Sequence, residues 1–346
     1  DGEQEGEDFW PLLKQQLDNP QWRETVELFP GTLFDEGGKR RVDKLLKRVL
    51  ELRSPNPDLT EDARIAGIMG RLLQPMNAYH YKPPKEIDEI YQQVLNRATA
   101  IFTIDGARGK SISNRIESAE ALGRGGDPRL SKENFAKPEY FIEVPGTGWR
   151  LRKFLVTVQE YQEFVEQEGY QESQWWDQAG WTTQKTEKWK SPYDWDEQLQ
   201  HPTRPVVYVS WFEAMAYCRW LSDQKKLSLC LPSEELWQKA ATSSTGEYPW
   251  GANKPTPELA NFNKKVNSPT PVGLYPDGDG PLGHCDLAGN VWEWQIDSVP
   301  GEDRMVIRGG SWSDKGEALA SAFRSYIKCD TRQETIGFRV ASDLFP

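Results

Sequence analysis

The sequence predicts two parts of different class, an all-α helical domain over residues 1–137 and an α+β domain over residues 138–346. Three observations carry this. Apolar residues recur at helical spacing through the first part and stop doing so near residue 130. All but two of the fifteen tryptophans, Trp10 and Trp22, lie beyond residue 140. In the same region short apolar runs are broken by many glycines and prolines, the pattern of brief strands joined by irregular connections.

In the first part, Leu45, Leu46, Val49, Leu50 and Leu52 define one apolar helix face. Ala63, Ile65, Ala66, Ile68, Met69, Leu72 and Leu73 define a second, and Ile87, Ile90, Tyr91, Val94 and Leu95 a third. Ser54-Pro55-Asn56-Pro57 and Pro83-Pro84 punctuate them. Short amphipathic helices with brief turns predict a bundle or a helical solenoid. Gly106-Ala107-Arg108-Gly109-Lys110-Ser111 ends like a phosphate-binding loop. The glycine such a loop needs five residues before Gly109 is replaced by Ile104. The segment therefore reads as a basic loop, and no nucleotide is expected in this part.

In the second part, Tyr140–Val144 and Arg304–Arg308 read as strands. A helix is expected over Val158–Val165. Another is expected from Ser210 to about Leu221, started by a capping box of Ser210 and Glu213, and a third begins after Ser233.

Composition bounds the rest. At 37% hydrophobic and 27% charged residues the chain is that of an ordinary globular protein. A net charge of −11 argues against general binding to nucleic acid. No apolar run approaches the length of a membrane span. The acidic stretch Asp1–Asp8 is not a secretory leader, and the missing initiator methionine suggests a piece of a longer protein. Cys218, Cys230, Cys285 and Cys329 form no CxxC. They are expected as free thiols in a reducing, cytoplasmic setting. His80, His201 and His284 fall in separate segments without metal-ligand spacing.

Three blocks near the end are the most specific signal: Gly289-Asn290-Val291-Trp292-Glu293-Trp294, Arg308-Gly309-Gly310-Ser311-Trp312 and Ile336-Gly337-Phe338-Arg339-Val340. Upstream lie Phe154-Leu155-Val156-Thr157, Arg204–Trp211, Ala214–Leu221, Leu231–Trp237 and Tyr248-Pro249-Trp250-Gly251. In this order they resemble the formylglycine-generating-enzyme (sulfatase-modifying factor) family, whose fold is a variant of the C-type lectin fold. The same fold serves as a binding module in the variable proteins of diversity-generating retroelements. In the helical part, Trp22–Gly31 and Ser118–Arg129 resemble the helical region of NACHT/STAND-type signalling proteins, which implies an upstream signalling module in the same polypeptide.

The resemblance implies the following. Family enzymes oxidise a substrate cysteine with copper held by two thiolates, and alignment on Arg324 and Gly337-Phe338-Arg339 places Gly316 and Ser321 at those positions. Neither supplies the soft ligand that copper needs. The expectation is therefore no copper and no enzyme. The family's calcium turn maps to the side chains of Asp286 and Glu293 and the carbonyls of Gly289 and Val291. The diversified surface of the retroelement proteins maps to residues 313–335. Its candidate ligand-binding residues are Ser313, Asp314, Lys315, Glu317, Ser325, Tyr326, Ile327, Lys328, Gln333, Glu334 and Thr335. They form a mixed polar, charged and aromatic set of the kind a recognition surface uses. Ser321-Ala322, Arg324, Asp330 and Arg332 would be its fixed points, with the tryptophan-rich 170–195 insertion as a wall. The reading is a non-catalytic sensor module for a protein or other macromolecular ligand. The alternatives are a copper-dependent formylglycine-generating oxidase and a structural cap on a helical array.

Overall fold

The computed structural model describes residues 9–343 apart from 132, 133, 135, 136 and 138. The acidic run at positions 1–8, on which the leader argument rested, lies outside the described residues. The chain divides into two units, Asp1–Pro128 and Arg129–Pro346.

The first unit is helical: α1 (Trp10–Gln16), α2 (Arg23–Gly37), α3 (Lys39–Leu50), α4 (Leu59–Leu73), α5 (Lys85–Ala98), α6 (Ile104–Ala107) and α7 (Ile112–Gly125). Its centre is α4, on which Ala63, Ile65, Ala66, Ile68, Met69 and Leu72 are all buried. The Asp58 side chain starts this helix by accepting the Glu61 N–H at 2.9 Å. Asp62, fully buried on α4, pairs with Arg53 at 2.6 Å and Arg97 at 2.9 Å, so its charge is compensated from two directions. Helices α4 and α7 cross at backbone contact distance. A Cβ added to Gly70 would stand 1.8 Å from the Gly125 carbonyl oxygen. The segment that ended like a phosphate-binding loop turns out to start a helix: Ser111 caps α7 by accepting the Asn114 N–H at 3.2 Å. No helix among the described residues is long and apolar enough to cross a membrane.

The second unit follows the order β1 (Phe141–Val144), β2 (Trp149–Arg152), α8 (Val158–Glu166), α9 (Gln178–Glu187), α10 (Trp195–Gln198), α11 (Trp211–Lys225), β3 (Leu229–Cys230) and α12 (Glu234–Ala241). It continues through β4 (Trp292–Ser298), β5 (Arg304–Arg308), β6 (Arg324–Lys328), β7 (Ile336–Gly337) and β8 (Ala341–Asp343). These strands form two four-stranded sheets, ordered β1-β2-β8-β3 and β6-β5-β4-β7. The expected capping box of Ser210 and Glu213 is present, and its helix runs to Lys225, one turn past the expected end. An aromatic core lies between α8, α11 and the last block. Tyr161 stacks on Tyr217 with ring centres 5.3 Å apart, and Phe338 meets Tyr217 edge-on at 5.4 Å. Trp294 is wholly buried, and its indole N–H donates to the Val209 carbonyl at 3.0 Å. Long glycine-poor helices could not make the turns of this unit. Gly289 has a φ of +77°, and a Cβ there would stand 2.4 Å from the Asn261 carbonyl oxygen.

Two substitutions test this packing. Trp294→Ala should cost about 3–5 kcal/mol, read as a drop in the denaturation midpoint of the second unit. Gly70→Val should destabilise the first unit by at least about 1–3 kcal/mol, because the added branches meet backbone rather than a movable side chain. A circular-dichroism melt unchanged by Gly70→Val would mean that α4 and α7 do not cross as closely as described.

Candidate recognition surface and its buried support

The support begins with Arg339 and Glu293, both fully buried. The guanidinium donates from Nε to Glu293 Oε2 and from Nη2 to Oε1, each at 2.9 Å. It also donates to the carbonyls of Arg152 at 3.0 Å, Lys153 at 2.6 Å and Cys285 at 2.8 Å. One side chain thereby joins β4, the end of β2 and the 285–291 turn. A bidentate, fully satisfied pair is the arrangement in which a buried charge is tolerated.

This corrects the calcium expectation at Glu293. Both of its carboxylate oxygens are held by a guanidinium, so the position expected to face a cation already faces one. Asp286 sits beside it and accepts the Gly273 N–H at 2.7 Å. Gly289 donates its N–H to the Gly309 carbonyl, and Val291 is buried in the turn. Of the four expected donors, the Glu293 carboxylate and one Asp286 oxygen are thus already engaged by the protein itself. Burial raises the Asp286 carboxyl from 3.8 to about 6, partly offset by the Gly273 N–H and by Arg339. Burial likewise raises Asp279 from 3.8 to about 7, against the Cys285 thiol hydrogen bond, which lowers it.

The 313–335 residues divide into holders and exposed groups. Asp314 is a holder: its Oδ2 accepts the Trp292 indole N–H at 2.9 Å and the Ser311 N–H at 3.1 Å. The Ser313 hydroxyl lies 3.1 Å from that of Ser311. Ile327 packs against the main core. Ser325 and Thr335 are half-buried, and the Thr335 carbonyl accepts the Trp292 N–H at 2.8 Å. The Gln333 carbonyl accepts from Tyr208 N–H at 3.0 Å, and that of Glu334 from the Trp312 indole at 3.4 Å. The side chains of Lys315, Glu317, Tyr326, Lys328, Gln333 and Glu334 are exposed. Asp314 and Ile327 therefore leave the recognition set, because their side chains are spent on the scaffold.

Arg332 builds a neighbouring cleft of about 690 Å³, lined by residues 187–197 and Arg332 itself. Its Nε donates to the Tyr208 carbonyl at 2.9 Å, and Nη2 to the Ser191 carbonyl at 2.5 Å and to Glu213 Oε1 at 3.0 Å. The guanidinium lies over the rings of Trp189, at 4.9 Å, and Tyr193, at 4.3 Å. Lys188, Asp194 and Tyr208 have φ of 56°, 50° and 56°, left-handed conformations that a tyrosine adopts only when its surroundings impose it. Arg332 is the expected fixed point and the insertion the expected wall. Trp189, Tyr193 and Trp195 are site residues beyond that expectation, and their signal in the sequence is the aromatic-and-charged run from Lys188 to Trp195.

The positions aligned with the copper ligands do not fit copper. The Ser321 hydroxyl donates to the Ala241 carbonyl at 2.7 Å, and a Cβ on Gly316 would meet Pro255 at 3.3 Å. The four cysteines are free, with Cys218 and Cys285 buried. His284 is buried with Nε2 3.2 Å from the Leu151 carbonyl, and burial lowers its imidazole to about 3.

Two small sheets, an aromatic core around α8 and α11, and glycine-tryptophan turns define an α+β domain of the C-type-lectin-like class. A family model for the Sulfatase-modifying factor enzyme 1-like domain matches residues 114–344, and the chain belongs to that family. It is similar to hercynine oxygenase of Mycobacterium tuberculosis, 33% identical over 60% of this chain and 55% of that protein. It is also similar to the inactive C-alpha-formylglycine-generating enzyme 2 of Bos taurus, 34% identical over 40% of this chain and 50% of that protein. Among solved structures, Treponema denticola variable protein 1 is 20% identical with a TM-score of 0.42, covering 57% of this chain and 84% of that one. The chain spans about half the length of the curated relatives it matches.

These relatives overturn the expectation that the chain is not an enzyme. Three hercynine oxygenases match at 28–33% identity over 60% of the chain, and they are enzymes by name. The identity of the residues at 316 and 321 bears on one chemistry and leaves any other open.

Three outcomes check the buried support. Arg339→Met should destabilise the second unit by about 3–5 kcal/mol, since it leaves Glu293 buried and unpaired. Arg332→Ala should likewise lower the melting temperature and release the 187–197 loop to protease, as Glu213 loses its partner. The third is a pH dependence. Asp279 and Asp286 hold their protons to higher pH folded than unfolded, so their stabilising contribution is full below about 3.8 and is lost as pH rises through 6 and 7. Across that window the melting temperature of Asp279→Asn should fall less than that of the parent. Parallel curves would show that Asp279 is not the group responsible.

Proposed function

We propose that the second unit binds a ligand through the exposed face formed by β6 and the 313–335 loops, with the 187–197 cleft at its side. The observation that carries this is the division of labour just described. Residues of that interval are anchored by Asp314 and by the main-chain carbonyls of Gln333, Glu334 and Thr335. Lys315, Glu317, Tyr326, Lys328 and Gln333 are left presented on a fixed frame. Preorganised, exposed aromatic and charged side chains bind with little ordering cost. The ligand class that suits such a face is a protein or another macromolecule.

The second reading comes from the relatives. The 33% identity to hercynine oxygenase over 60% of the chain favours a role in an oxygenase, in which the same face and cleft would meet the substrate. Dioxygen uptake by the full chain that depends on added hercynine would support it.

Selection from a random peptide display library against the full chain tests the recognition reading. Enriched peptides should lose about tenfold or more in affinity for the double variant Tyr193→Ala, Tyr326→Ala, a loss of about 1.4 kcal/mol. The melting temperature of that variant should fall by only a few degrees, because both side chains are exposed and lose ring contacts with arginines rather than core packing. Peptides that bind parent and variant equally would place recognition elsewhere.

A further inference from the structure

β6 is the outer strand of its sheet, with β5 on one side and no strand on the other among the described residues. Its exposed face carries Arg324, Tyr326 and Lys328 at alternate positions. Register places Arg304 of β5 directly opposite Lys328, and Arg308 opposite Arg324. Like charges in facing positions work against a sheet. The compensation is incomplete: Glu234 serves both Arg308, at 3.2 Å, and Arg324, at 2.8 Å, while Glu302 serves Arg304. No described carboxylate is within ion-pair reach of Lys328. Between these cations stands Tyr326, 37% exposed, with Arg324 at 4.9 Å and Arg304 at 5.9 Å from its ring centre. All this occurs on a chain whose net charge is −11. A charged edge also repels other copies of the chain. That accounts for Lys328 alone, and not for a half-exposed tyrosine held between two guanidiniums.

We propose that β6 takes an extended acidic polypeptide segment as an added strand. The segment carries carboxylates on one face, four residues apart and facing Arg324 and Lys328, with an apolar residue between them over Tyr326. The period of two along a strand puts those three side chains on the face that meets the basic strip. Main-chain pairing along the edge supplies affinity, apart from the Lys328 carbonyl, which already accepts the Thr331 N–H at 3.1 Å, and the side chains supply choice. This rests on the recognition reading of the same surface and narrows its partner to one chemistry.

The test uses the full chain and a fluorescent seven-residue threonine peptide with glutamate second and sixth and valine fourth, followed by anisotropy. Binding should weaken with added salt. It should fall about fivefold with Lys328→Glu, as a facing pair turns repulsive. It should recover when the facing glutamate is replaced by lysine. It should be lost when alternate peptide amides are N-methylated, since these cannot join a sheet. An N-methylated peptide that binds as well as its parent overturns strand addition. Equal binding of the glutamate and lysine peptides overturns the charge assignment. If no acidic peptide binds while display-selected peptides still lose affinity for the Tyr193→Ala, Tyr326→Ala variant, this proposal fails and the recognition reading stands; if those peptides also bind that variant as tightly as the parent, both fail.

Discussion

The buried pair of Arg339 and Glu293 is the interaction on which the second unit depends. Glu293 belongs to β4, at the heart of one sheet, and Arg339 precedes β8, which pairs with β2 in the other. The guanidinium spends every hydrogen bond it can make: two on the carboxylate and three on carbonyls of Arg152, Lys153 and Cys285. No apolar substitute could tie those three carbonyls. The pair thus does in the interior what a second layer of apolar side chains does elsewhere, and it does so with direction. That direction fixes the 285–291 turn, and through it Trp292 and Trp294, whose indoles reach Asp314 and the Val209 carbonyl.

From this frame outward, each layer is held by the one beneath. Trp292 and Asp314 fix the start of the 313–335 interval. Trp312 and Tyr208 fix its end through main-chain carbonyls. Arg332, within the interval, reaches across to the 187–197 loop and to Glu213 at the start of α11. The capping carboxylate of that helix is thus also the counter-charge of the cleft. Helix initiation and cleft shape are coupled through one side chain, Glu213, which is wholly buried.

Local features were legible in the sequence, and distant pairings were not. Ser210 and Glu213 lie one helical turn apart, so their reciprocal capping could be read from spacing alone, and the tryptophan-glycine blocks announced the family and its fold. Glu293 misled because a carboxylate following a turn looks the same whether it faces a metal or a guanidinium, and its partner lies 46 residues away. Asp314 misled for the same reason: as a loop residue it reads as exposed, and only the fold brings the Trp292 indole to it. The cleft depends on contacts between Arg332 and a loop 141 residues earlier. Enzyme status misled differently. It was argued from one pair of positions, when a family can change its chemistry without keeping its metal.

The hold on residues 333–335 passes through their main-chain carbonyls. Every amino acid has that carbonyl, so the grip is indifferent to which side chain stands there. Substitutions at Gln333 can therefore alter what the surface offers without touching what fastens it, whereas Glu334 adds a side-chain contact of its own, accepting from the Tyr208 hydroxyl at 3.5 Å. A lineage carrying this domain could try new partners at Gln333 at almost no cost in folding, while the tryptophans and arginines beneath stayed unchanged.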